Sequence, residues 1–141
     1  MGPKELFILS NQIIIEHLEK MIEEFPKLST GEKTILSLEE ENDGIYKIHV
    51  NGSDDTFGNI IQCYISRYMI DDKSIISICG YKKKHPLEDI ITFTVSLNRN
   101  NKIYQLNKPQ QVVSIIEFFN EACNNLIQIY SLIKAEADNK L

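Results

Sequence analysis

Tryptophan is absent from this 141-residue sequence, and cysteine occurs only three times. Cys63, Cys79 and Cys123 are widely spaced and form neither a CxxC motif nor a Cys/His cluster. This spacing argues against the usual zinc-binding modules and against a fold held together by disulfides. We expect reduced, mostly buried thiols in an intracellular protein.

An excess of positive charge is missing as well. The formal net charge is −5, so no overall field draws the chain to nucleic acid or to anionic lipid. The longest basic run, Lys82 to Lys84, is too short to form a binding surface alone. We therefore expect no direct sequence-specific contact with nucleic acid.

Long apolar runs, secretion signals and nucleotide-binding loops are also missing. No apolar run approaches the ~20 residues of a membrane span, and the N-terminus lacks a basic region followed by an apolar stretch. Neither a P-loop nor a GxGxxG motif is present. We expect a soluble protein that is not secreted, does not enter a membrane and carries no cofactor.

What is present is the composition of an ordinary globular domain, with 43% apolar and 25% charged residues. The length argues for one domain with room for an added arm. A chain of this length buries roughly two-thirds of its unfolded surface, so it needs no metal or disulfide to fold.

The N-terminal segment predicts an amphipathic helix between two prolines. Pro3 suits the first turn of a helix, and Pro26 marks its end. The segment that follows, residues 28–33, has the composition of a linker. Apolar residues recur in the helix at helical spacing, namely Phe7, Ile14, Leu18, Met21 and Phe25.

Four short segments predict strands. "TILSL" (Thr34 to Leu38) and "IYKIHV" (Ile45 to Val50) flank the turn-rich "EENDG", and "IISIC" and "IITFTV" follow later. In the second segment, alternation places His49 on the face opposite Tyr46 and Ile48. We expect His49 to be a solvated strand residue rather than a catalytic one.

A middle helix is predicted from about Thr56 to Tyr68, after the turn "NGSDDT" that supplies its N-cap. Gly58 in its first turns is unfavourable for a helix by about 1 kcal/mol relative to Ala. A glycine there indicates close backbone contact with another element. The apolar face of the helix comprises Phe57, Ile60, Ile61, Tyr64, Ile65 and Tyr68.

The last segment carries the strongest periodicity, with apolar or small residues spaced alternately by four and three as in a coiled-coil seam. Other apolar residues widen the stripe, so we expect this long helix to cover its own sheet and also to meet a partner. The alternative is a helix that lies only on its own sheet. The seam comprises Val112, Ile116, Phe119, Cys123, Leu126, Tyr130, Ile133 and Ala137.

The stretch "GYKKKHPLED" allows several kinds of chemistry. His85 could act as a general base, and "HPLE" is similar to the His-Pro-Glu element of pterin carbinolamine dehydratases. Those enzymes have a second histidine where this chain has Lys84. Cys79 and His85 alone do not make a metal site. A dehydratase-like enzyme and a small-ligand carrier therefore stay open as alternatives.

A second stretch, "DDTFGNII", precedes this one by about one helix and one strand. Together the two resemble the signature of the small alpha-like subunits of multisubunit RNA polymerases, a family that includes archaeal subunit L and the small eukaryotic assembly subunit. Asp55, Phe57, Gln62 and Lys84 depart from the pattern. The residues that match it are Asp54, Thr56, Gly58, Asn59, Gly80, Tyr81, His85, Pro86, Leu87 and Glu88.

The resemblance spans roughly Thr34 to Ala137. It implies an α+β fold with a four-stranded antiparallel sheet, helices on one face and a long C-terminal helix. It implies a non-catalytic subunit without cofactor or metal that pairs with a larger alpha-like subunit. That dimer is the platform on which the two large catalytic subunits assemble. We expect the isolated chain to bind an alpha-like partner or to self-associate.

The resemblance also assigns roles to residues. Gly80, Tyr81, His85, Pro86, Leu87 and Glu88 form a structural surface turn. The dimer interface comprises Thr56, Phe57, Gly58, Asn59 and Ile61 of the middle helix, and Val112, Ile116, Phe119, Cys123, Leu126, Tyr130 and Ile133 of the last helix.

Residues 1–27 lie outside the usual small-subunit pattern, which leaves residues 34–141 as the small alpha-like domain. The N-terminal helix is similar to the final helix of the larger alpha-like subunit. Fusions of the two occur in large cytoplasmic DNA viruses, notably the African swine fever virus group; an ordinary N-terminal extension is the alternative. The expected location is the host cytoplasm and virion for a viral protein, and the nucleus for a cellular eukaryotic subunit.

Overall fold

A computed structural model of the chain describes residues 2–73, 75–83 and 87–140. Its elements are α1 (Pro3–Glu24), α2 (Lys27–Thr30), β1 (Leu36–Asn42), β2 (Ile45–Asn51), α3 (Asp55–Tyr64), a π-helical turn (Ile65–Met69), α4 (Ile70–Lys73), β3 (Ile76–Lys83), β4 (Ile90–Leu97), a 3-10 turn (Lys102–Gln105) and α5 (Lys108–Lys140). The element order of the expected α+β fold is confirmed.

The predicted N-terminal helix is confirmed as α1, with Pro3 in its first turn. Its buried face includes Leu18, Met21 and Phe25, as the spacing predicts, whereas Phe7 is exposed. Phe7 lies in the first half of α1, whereas the α1 residues that join the core cluster, such as Ile14, Leu18 and Met21, lie in its second half. Beyond α1, part of the predicted linker forms the single turn α2, which ends at Gly31 in a left-handed conformation (φ 77°).

The four strands form one antiparallel sheet in the order β1-β2-β4-β3. Tyr46, Ile48 and Val50 of β2 alternate into the core, and the intervening residues point away from it. This alternation follows from the two-residue period of a strand. The same period places His49 opposite Thr92 of β4 on the outer face.

The first strand runs from Leu36 to Asn42, later and longer than the Thr34 to Leu38 predicted. The glutamates of the supposed turn belong to the strand, and only Asp43 and Gly44 make the connection, with Gly44 at φ 75°. Pairing with β2 and two cations from other elements account for this, since Glu40 is 2.6 Å from Lys108 of α5 and Glu41 is 3.4 Å from Lys47 of β2. The strand continues through these glutamates because of tertiary partners that charge patterning alone does not reveal.

One face of the sheet is covered by α1, α3 and α5, whose apolar residues share a single core with the strands. The ring of Phe119 in α5 lies 5.5 Å from both Phe25 of α1 and Phe93 of β4. A buried hydrogen bond also joins β2 to α5: Tyr46 Oη donates to Gln111 Oε1 over 2.7 Å. Burial raises the pKa of Tyr46 to about 12.

The first and last helices run antiparallel. Phe25 stacks near Phe119, Lys134 Nζ donates to Gln12 Oε1 over 2.7 Å, and Lys4 Nζ reaches the carbonyl oxygen of Asp138 at 3.4 Å. The register of these contacts places Leu18 beside the turn that holds Leu126. The N-terminal helix therefore covers one side of the long C-terminal helix.

Candidate interaction site

The middle helix begins at a side-chain cap. Asp54 Oδ1 accepts a hydrogen bond from the Phe57 N–H at 3.1 Å, which satisfies one of the free donors of the first turn. One turn later Gly58 is buried against β3: a Cβ at this position would lie 2.6 Å from Cδ2 of Tyr81. The two sequence motifs, separated along the chain, therefore meet at Gly58 and Tyr81.

A second contact joins the residues just before the first motif to the end of the second motif through their backbones. The carbonyl oxygen of Asp89 accepts hydrogen bonds from the N–H groups of Gly52, at 2.6 Å, and Ser53, at 3.2 Å. These bonds hold the entry to α3 against the segment that follows the motif turn. Of the predicted turn residues, Gly80 and Tyr81 belong instead to β3, where pairing with β4 extends the strand. Leu87 and Glu88 are exposed, and His85 and Pro86 lie outside the described residues.

The N-terminal helix supplies a histidine to this region. His17 Nε2 lies 2.8 Å from Ser53 Oγ, and the His17 ring meets the Phe57 ring edge-on with centroids 4.1 Å apart. Burial lowers the pKa of His17, against an opposing effect of Asp54. Ser53 is only 2% exposed, and its hydroxyl is engaged with His17. The pair therefore acts as a structural contact between α1 and the start of α3.

A π-helical turn follows α3. The N–H of Ile70 bonds to the carbonyl oxygen of Ile65, five residues earlier, where an α-helix would use four. In an uninterrupted helix Tyr68 would share the core face of Ile61, two turns before it. The extra residue rotates Tyr68 outward to 61% exposure and buries Met69 in its place. The sequence prediction of a core-facing Tyr68 is therefore wrong.

An open groove of about 520 Å³ lies between the α3–π-turn segment and the C-terminal half of α5; we call it the α3–α5 groove. Leu126 is buried at its floor, and Ile133 is 38% exposed. On the other wall the rings of Tyr64 and Tyr68 lie 5.3 Å apart. An uncovered apolar groove between two helices is typical of a surface that receives a helix from another protein.

The predicted interface residues divide between this groove and the core. Asn59, Leu126, Tyr130 and Ile133 line the groove. Thr56 is exposed but lines a separate cleft with His17 of α1, while Val112 is half-buried nearer the start of α5. The remaining predicted residues are buried within the chain itself, namely Phe57, Gly58, Ile61, Ile116, Phe119 and Cys123.

Sequence reasoning did not single out the other residues of the groove as a site. Arg67 and Tyr68 are exposed in the π-turn, and Ile129 is exposed on α5. The apolar spacing assigns Tyr68 to the core and gives Arg67 no role, because that spacing follows the regular 3.6-residue period of an α-helix. No local sequence signal marks the π-turn.

Other reactive side chains of the described residues have structural surroundings. Burial raises the pKa of Cys79 and Cys123 to about 12, so these thiols are weak nucleophiles. His49 bridges three strands, with Nδ1 2.8 Å from Thr92 Oγ1 and Nε2 3.1 Å from Glu39 Oε1. Within residues 2–73, 75–83 and 87–140, no group of three or more His, Cys, Asp or Glu residues could hold a metal ion.

None of the helices in the described part of the chain has the length and apolar character needed to cross a membrane. The sequence matches the family described as RNA polymerase Rpb3/Rpb11 dimerisation domain over residues 46–136. This range, more than half of the chain, includes β2, α3, the π-turn, β3, β4 and most of α5. No curated protein matches the sequence.

Proposed function

Since the chain belongs to the family of RNA polymerase Rpb3/Rpb11 dimerisation domains, we propose that it is a non-catalytic assembly subunit or domain of a multisubunit DNA-dependent RNA polymerase. Its task is to bind a larger alpha-like subunit or domain. The resulting dimer then supports assembly of the two large catalytic subunits during transcription.

The observation that carries this proposal is the α3–α5 groove, which lies within the matched residues. Ile129 and Ile133 are more than a third exposed on its α5 wall, and Tyr68 is exposed opposite them. Apolar surface of this kind is stabilised when a partner removes it from water. Shape and composition both favour an amphipathic helix of the larger alpha-like partner.

The remaining geometry suits a scaffold. The motif residues Gly58 and Tyr81 set the distance between α3 and β3, and Asp54 fixes where α3 begins. These contacts determine the shape of the groove wall. We infer that the family motifs in this chain position an interface rather than perform chemistry.

Co-expression with the larger alpha-like subunit of the same genome tests the proposal. The tagged chain should retain that subunit through purification, and the pair should then bind the large catalytic subunits. Replacing Ile129 and Ile133 together by Glu should reduce retention, because two carboxylates would replace apolar side chains that the partner removes from water. Leu106→Glu is a matched control, since Leu106 is 39% exposed but lies outside the groove. A parent chain that binds no alpha-like subunit contradicts the proposal.

We also propose that α1 is the terminal helix of a larger alpha-like domain, as in a viral fusion of the two subunits. Its antiparallel packing on α5 supports this, and so does its position outside the matched residues. On this proposal the protein acts in the host cytoplasm and is packaged in the virion. A coding sequence in its source genome without an alpha-like domain joined to α1 would contradict it.

A further inference from the structure

The α3–α5 groove carries a positive charge in an otherwise uncharged surface. Of the described residues that line it, Arg67 alone has an ionised side chain. Arg67 is exposed and takes part in none of the ion pairs found among the described residues. The chain as a whole has a net charge of −5, so this cation is not part of a general excess of positive charge.

The π-turn is what presents this residue together with two aromatic rings. Tyr64 and Tyr68 lie on the same wall with centroids 5.3 Å apart, and Arg67 lies between them in sequence. Tyr68 is 61% exposed because the π-turn buries Met69 instead. Tyr and Arg, with Trp, are the residue types most enriched among the residues that dominate binding energy at interfaces.

A helix that fills the groove would exclude water from Arg67. A guanidinium that loses its water without gaining a partner is strongly unfavourable, whereas a carboxylate can bind it bidentately. An uncharged partner helix would therefore leave the groove with a buried, unpaired cation. Charge complementarity selects an acidic partner helix.

We propose that Arg67 and Tyr68 are the specificity-determining residues of the α3–α5 groove. The helix that docks there is amphipathic, with an apolar face for Tyr68 and Ile133 and a carboxylate placed to meet Arg67. This inference rests on the proposed function, because it names the chemistry of the partner helix. It goes further in assigning the selectivity to the π-turn, which the apolar periodicity did not predict.

Affinity measurements with the larger alpha-like subunit of the same genome test this assignment. Tyr68→Ala and Arg67→Glu should each weaken binding by about tenfold or more. Arg67→Met should weaken it less and should make the affinity less dependent on salt, since the charge pair is gone. Circular dichroism and the unfolding midpoint should stay unchanged, because both side chains are exposed.

Arg99→Glu is the matched control. Arg99 is also exposed but lines a separate cleft with Glu40 and Asp43, so its reversal should change affinity by less than about twofold. A parent chain that fails to bind the larger subunit contradicts the proposed function. If the parent binds and the Arg67 and Tyr68 variants bind equally well, only this inference is wrong. A homodimer that Tyr68→Ala dissolves, and that the larger subunit does not displace, would also overturn it.

Discussion

The ring of Tyr81 lies against the backbone of Gly58 so closely that a Cβ at residue 58 would come within 2.6 Å of Tyr81 Cδ2. The two residues belong to different sequence motifs and different elements, α3 and β3. Their contact explains why a helix tolerates glycine in its first turns. It also makes the spacing of α3 from the sheet sensitive to a single methyl group.

Gly58→Ala should therefore destabilise the protein, although alanine is the better helix former by about 1 kcal/mol. Displacing the Tyr81 ring should cost about 1–3 kcal/mol, so we expect a net loss in the free energy of unfolding measured by urea denaturation. In the background Tyr81→Ala, the same change should become neutral or stabilising. Asn59→Ala, at the exposed neighbouring position, should have little effect. Equal effects in both backgrounds would contradict the contact.

Stability should depend on pH through His17. Its pKa is lowered in the folded protein, first by burial and further by Lys20, with Asp54 opposing. The unfolded chain therefore binds a proton more readily, so stability is full above the unfolded pKa near 6.5 and is lost as pH falls through the folded pKa. Thermal unfolding between pH 7.5 and 5 should show this loss.

The variant His17→Gln should flatten that dependence below pH 6.5 while keeping a polar partner for Ser53. His49→Gln is the control, because His49 lies on the outer face of the sheet away from α1. A slope that survives in His17→Gln and disappears in His49→Gln would assign the effect to the wrong histidine and sink the prediction.

Shortening the side chain at two positions of the predicted seam should distinguish a core residue from a groove residue by the loss in the free energy of unfolding. Phe119 is fully buried, with ring contacts to Phe25, Phe93 and Phe118, so Phe119→Ala should lower the free energy of unfolding by about 3–5 kcal/mol. Ile133→Ala should lower it far less, because Ile133 is 38% exposed. Denaturant titrations that find the two changes comparable would show that the groove is not open.

The docking of α1 on α5 should appear as coupling between the helices. Leu18 and Leu126 are both buried at matching heights of the antiparallel pair. A double-mutant cycle of Leu18→Ala and Leu126→Ala should give a coupling of about 0.5 kcal/mol or more. The same cycle with Leu6 and Leu132, exposed at 53% and 69%, should be additive. Additivity in both cycles, with fast hydrogen exchange along α1, would mean that α1 is loosely attached.

Sequence periodicity predicted the elements whose burial pattern depends only on which of their faces packs against the core. Tyr46, Ile48 and Val50 alternate into the core as expected, because a strand on one sheet face has a two-residue period wherever it lies. The prolines and the apolar spacing predicted α1 as well, because these signals also lie within the segment itself. Periodicity failed at β1, where Glu40 and Glu41 continue the strand through cations supplied by α5 and β2.

By itself, then, the sequence determined the order of helices and strands, the polar and apolar faces of β2, and the two motifs that mark the family. These follow from local propensity and spacing. Only the tertiary structure decided that α1 covers one side of α5, that Phe119 belongs to the core, and that Tyr68 faces the groove rather than the core. The reason is that helix register and burial depend on what packs against each face, and the energy of that packing exceeds the small local preferences.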